Sequence, residues 1–213
     1  MIGLPLVLLM AAQNSAAPQE LAVPTKIPEE ADRAEQVWLS DVGRGFRKNS
    51  YSIEVKLSRA FGTTKMGSDT RHDLTLAQVQ AGLILADVME PDHWFGGNLE
   101  GLGILMAGAQ DEPHAAYLVA LNGGLRYHFR TGTPVVPFIG GTFGVALSDI
   151  GDPDATGKFQ FNESIGGGIR YFFDPTTALT FDYALWHVSN GGIKQPNNGV
   201  TAHVVSFGLA WLF

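Results

Sequence analysis

From Tyr51 to Phe213 apolar and polar residues alternate with a period of two, in one short run after another. That period is the side-chain repeat of a β-strand, so each run describes a ribbon with one apolar and one polar face. Tyr51, Ile53, Val55 and Leu57 alternate with Ser52, Glu54 and Lys56. Farther along, Val119, Leu121, Leu125, Tyr127 and Phe129 oppose Asn122, Arg126, His128 and Arg130, and Phe159, Phe161, Ile165, Ile169 and Tyr171 oppose Gln160, Asn162 and Arg170. Leu179, Phe181, Tyr183 and Leu185 form another apolar row, and Val205, Phe207, Leu209, Trp211 and Phe213 the last. With weaker runs near 72–87, 96–108 and 134–148 the count reaches roughly eight, the smallest number usual for a closed outer-membrane barrel.

The polar faces decide which side points outward. A soluble barrel would show water mostly Lys, Glu and Asp, whereas here the polar positions mix Asn, Gln, Thr, Arg, Asp, His and Gly, which suits a packed polar lumen. Aromatic residues gather toward the ends of the runs, as in an interfacial girdle. The connections near 130–134 and 173–177 are short, and those near 62–71, 148–158 and 189–199 are long, the alternation of periplasmic turns with outer loops. We therefore expect an all-β fold, an eight-stranded antiparallel outer-membrane β-barrel spanning 49–213. The apolar run IGLPLVLLMAA and the small residues after it read as a signal peptide over 1–17, followed by a charged periplasmic segment over 18–48 with one short helix near 29–39.

Composition narrows the chemistry. A net charge of −7 and a pI near 5.3 provide no basic face for nucleic acid. The absence of cysteine removes thiolate nucleophiles and disulfides, so covalent chemistry must rest on oxygen or nitrogen. No metal-ligand spacing of the HExxH kind occurs, and no metal or organic cofactor is expected.

Continuing the outward row of the seventh run by two reaches His187 and then Ser189, at the outer end of the strand. An imidazole beside a hydroxyl is the minimal activated nucleophile, and at that depth its substrate would be an ester within a lipid. Such a pair alone is more often two interfacial polar residues. The stretch HVSNGGIKQPNNG, residues 187–199, resembles the signature of the PagL lipid A 3-O-deacylase family, eight-stranded outer-membrane barrels with an HxSN motif before a KQPN-type loop. The resemblance implies an esterase that removes the 3-linked acyl chain of lipid A, with lipopolysaccharide of the outer leaflet as partner and no cofactor. Ser189 would be the nucleophile, His187 the general base and then acid, and Asn190 an oxyanion contributor, with Gly191 and Gly192 admitting backbone N–H groups.

One position departs from the family. Its acidic member, which orients the histidine, falls on Thr201. Either Thr201 holds the ring by hydrogen bonding alone, or a carboxylate arrives from Glu163, which breaks the outward row of the sixth run and counts back through the short turn to the level of His187. His203, on the outward row of the last run, is a further neighbour. Lys194, and more weakly Lys65, Arg71 and Lys158, are loop cations that could meet lipid phosphates. The alternatives to an enzyme are a non-catalytic structural or adhesive barrel in which Thr201 marks a lost triad, and a soluble lipid-binding barrel.

Overall fold

The computed structural model describes residues 46–90 and 92–213. The expected signal peptide and the segment with its short helix lie outside the described residues. Eight strands follow one another: β1 Tyr51–Gly62, β2 Asp73–Ile84, β3 Gly97–Glu112, β4 Ala116–Phe129, β5 Val135–Ser148, β6 Phe159–Phe172, β7 Thr177–Ser189 and β8 Val200–Leu212. Each pairs antiparallel with the next, and β8 returns to β1, so the sheet closes into a barrel without an edge.

Alternation assigns the faces as expected. Leu57, Ile165 and Phe207 stand on the outside, with 66%, 70% and 57% of their surface exposed, while Glu54, Lys56, Gln160 and Arg170 of the opposite parity are buried inside. A closed barrel with an apolar exterior belongs in lipid.

The lumen is filled in layers. At the end carrying the long loops, Leu74, Leu76, Met106, Leu118, Trp186, Val188 and Val204 form an apolar plug. Toward the other end an ionic layer follows, in which Glu54 accepts from Arg126 at 2.7 Å and from Arg170 at 2.8 Å, and Glu100 meets His128 Nε2 at 2.7 Å. A second apolar plug of Phe46, Ile84, Val136, Phe172, Ala178 and Leu212 closes the short-turn end. Burying those charges is tolerable because each carboxylate has cationic partners.

Two connections break the tidy alternation of lengths: β3–β4 is only 113–115 at the long-loop end, and β2–β3 runs over 85–96 at the short-turn end. The three long loops are tied together. Asp154 in the β5–β6 loop accepts the N–H groups of Asp69 at 2.7 Å and Thr70 at 3.0 Å and lies 2.8 Å from His72 Nε2. Asn198 in the β7–β8 loop donates its N–H to the Asp154 carbonyl at 2.7 Å and its amide to Asp69 at 2.8 Å. Burial would push the Asp154 carboxyl up, but the bonds from His72, Asp69 and Thr70 outweigh it and hold its pKa below the usual carboxylate range. This knot fixes the loops that surround the candidate site.

Candidate active site

His187 and Ser189 occupy the last outward positions of β7. The register sets their neighbours: Glu163 lies directly opposite His187 on β6, and Thr201 directly opposite it on β8. All three side chains therefore share the outer wall, at the rim below the long loops.

The ring of His187 is fixed from the β8 side. Its Nδ1 lies 2.9 Å from Thr201 Oγ1, and that hydroxyl donates to the carbonyl of Met66 at 3.2 Å. Because the hydroxyl proton is spent on Met66, its oxygen accepts from Nδ1–H, which leaves Nε2 as the basic nitrogen. Thr201 is held in turn, its N–H on Ser68 Oγ at 3.2 Å, and Ser68 donates to the Gly199 carbonyl at 2.6 Å. The ring also needs Gly199, whose φ is +78° and where a Cβ would stand 2.4 Å from the ring Cε1.

Of the two partners left open for Nδ1, Thr201 and Glu163, the bond is to Thr201. Glu163 is level with His187, yet no ion pair joins it to the ring, and Thr201 has the nitrogen instead. The reason lies in the β1–β2 loop, which brings Met66 and Ser68 over β8 and locks Thr201 in place on that side. Glu163 lines an open groove of about 830 Å³ on the outer wall with His187, Thr201, Ile165, Leu185 and Phe143, floored by Gly123 and Gly141.

Ser189 shares the face of His187, about 7 Å away by strand spacing. Its hydroxyl has no hydrogen bond among the described residues, so the bond to Nε2 is not formed in this structure. Asn190 differs from a free oxyanion donor. Its N–H goes to Asn197 Oδ1 at 2.9 Å, its amide donates to the carbonyls of Thr156 and Lys194 at 2.8 Å each, and its Oδ1 accepts from Gly192 N–H at 2.9 Å. All three of its donors are engaged in fastening the β7–β8 loop to itself and to the β5–β6 loop. Gly191 is the exception within the turn: it is exposed, its φ is +65°, and its N–H has no partner among the described residues.

Lys194, Lys65 and Lys158 are exposed in the long loops, whereas Arg71 is engaged by Asp73 through two bonds at 2.8 and 2.7 Å. Among the described residues no cluster of His, Asp and Glu could hold a metal ion. Met66, Ser68, Thr156 and Asn197 escaped sequence reasoning, because each acts through a loop contact that no local spacing announces.

Comparison with known proteins follows the geometry. The family model of lipid A 3-O-deacylase (PagL) matches residues 80–210. Neisserial surface protein A is 16% identical, with a TM-score of 0.57 over 78% of this chain and 100% of its own. The outer membrane enzyme PagL is 20% identical, with a TM-score of 0.51 over 72% of this chain and 97% of its own. No curated protein matches the chain. An edgeless barrel with an apolar exterior, matched by that family over most of its strands, is an outer-membrane protein of a Gram-negative bacterium, and the chain belongs to the PagL lipid A 3-O-deacylase family.

Proposed function

We propose that this protein is an outer-membrane esterase that removes the 3-O-linked acyl chain of lipid A, by acyl transfer to Ser189 and then to water. The observation that carries this reading is the His187–Thr201 bond, which presents Nε2 as a base on the same wall as Ser189. Rotation of Ser189 toward Nε2 aligns the pair once a lipid excludes solvent from the rim.

Ser189 Oγ attacks the ester carbonyl while Nε2 takes its proton. The developing oxyanion accepts from Gly191 N–H, a contribution of about 3 kcal/mol for one well-placed donor. Collapse breaks the bond to the sugar oxygen, which leaves with the proton from His187. Water, deprotonated by His187, then attacks the acyl-serine, and a free fatty acid departs with Ser189 restored.

Asn190 shapes the turn that presents Gly191 rather than touching substrate. Glu163 flanks the ring across the strand pair, its Cβ about 5 Å away, close enough to favour the transient imidazolium without orienting it. The groove beside Glu163 gives the released chain an apolar bed, and Lys194 stands in the loop above, where a lipid phosphate would lie.

The test is mass spectrometry of lipid A from cells expressing this protein or its Ser189→Ala variant. Loss of one acyl chain in the first and not in the second is the expected result. A second reading, a barrel without activity, rests on the hydroxyl at Nδ1 where the family has a carboxylate, and unchanged lipid A with the protein folded in the outer membrane would establish it.

A further inference from the structure

One step below His187 on the lipid-facing wall, a second histidine meets a tyrosine. His203 on β8 pairs with Leu185, and Tyr183 on β7 pairs with Val205, so the two side chains meet on a diagonal of the strand pair. Both are exposed on the outer wall. The Tyr183 hydroxyl is 2.5 Å from His203 Nδ1, and the rings stack at a centroid distance of 5.9 Å with 23° between their planes.

A hydrogen count makes the pair incomplete. A neutral imidazole carries one N–H and a phenol one O–H, and the single bond between them uses one of the two. One hydrogen therefore remains without a partner among the described residues, whichever group donates. Leu185 and Val205 on the paired strands and Phe61 opposite His203 on β1 offer it no acceptor, and Arg59, opposite Val205, is a cation engaged by Thr75 and Asp111. His203 is three residues from the outer end of β8, one step below the level of His187 and Thr201. An unmet donor on a lipid-facing wall is costly. The acceptors a lipid offers at that depth are the carbonyl oxygens of its acyl linkages.

The groove lined by Glu163 runs from Thr201 and His187 across β6 to β4, and the Tyr183–His203 pair lies one step below His187 between β7 and β8. A lipid with two neighbouring chains would occupy both, with one linkage at Ser189. We propose that Tyr183 and His203 form a polar subsite that donates a hydrogen bond to the carbonyl oxygen of a second acyl linkage in the lipid bound at Ser189. This proposal rests on the esterase reading for the place of the first linkage.

Affinity separates the two. On the Ser189→Ala background, binding is measured for two synthetic glucosamine lipids that share a 3-O-acyl ester and carry a second chain through an amide in one and an ether in the other. The amide lipid is expected to bind about tenfold more tightly. His203→Phe collapses that preference, and His203→Gln, which keeps an N–H donor, restores most of it. Equal binding of the two lipids by the parent, or a preference that survives His203→Phe, overturns the proposal. Release of the ester-linked chain by the unaltered protein is followed separately. Its absence with both lipids would overturn the esterase function, while the affinity comparison would still decide the subsite.

Discussion

His187 Nδ1 and Thr201 Oγ1 lie 2.9 Å apart, and the threonine hydroxyl donates its own hydrogen bond to the Met66 carbonyl. A neutral hydroxyl replaces a carboxylate as the ring's orienting partner, keeping the tautomer while giving up the charge. Thr201→Val removes the acceptor and leaves Nδ1–H unpaired, and kcat should fall about 10–100-fold on purified lipopolysaccharide. Thr201→Ser preserves the oxygen and should keep activity within a few-fold. Equal activity in the valine variant would show that the ring is held by packing alone.

Gly199 makes a separable prediction, because it acts through space rather than through a bond. Alanine there would bring a methyl to 2.4 Å from the His187 ring and hold a φ of +78° that favours glycine. The backbone strain costs about 1–3 kcal/mol, which a closed barrel survives. Gly199→Ala should therefore retain folded mobility on an unheated gel and lose most of its deacylase activity. A fully active variant would mean that the ring position seen here is not the working one.

How much of this was legible beforehand follows from the range of each signal. Alternation is local, so the faces of β1, β4, β6, β7 and β8 could be read directly. The short turn at 173–176 carries the register far enough to put Glu163 opposite His187. The partner of the ring was open, because the choice depends on Met66 and Ser68, which reach Thr201 from a loop 135 and 133 residues away. Asn190 shows the same limit. The family resemblance implies an oxyanion contact from Asn190, whereas in the fold Thr156, Lys194 and Gly192 have taken both ends of its amide.

The lumen predicts stability rather than activity. Glu54 accepts from both Arg126 and Arg170 in a buried layer, so Glu54→Leu would leave both guanidinium groups sharing Glu100 as their one carboxylate among the described residues. Breaking a buried pair from one side costs about 3–5 kcal/mol, far more than an exposed pair. Urea unfolding in lipid vesicles should show a midpoint lowered by that energy divided by the slope, with little change of the slope itself. A midpoint equal to the parent's would mean that water reaches the layer and solvates the arginines.

Asp154 ties the outer loops to pH. Its carboxyl is depressed in the folded protein, so its bonds to Asp69, Thr70 and His72 contribute stability that is complete above the unfolded carboxylate pKa, about 3.9. That contribution is lost as the pH falls through the lower folded value. Acidification below about pH 4 should therefore loosen the knot while the barrel wall stays closed. Hydrogen exchange, corrected for its intrinsic rate, should rise at the amides of 69–72 and 197–199 before it rises in any strand. Asp154→Asn should show the loosened loops already at neutral pH, with a smaller further change on acidification than the parent. If its loops exchange as slowly as the parent's at neutral pH, the Asp154 charge is not what holds the cap, and the bonds of Asn198 and Ser68 suffice.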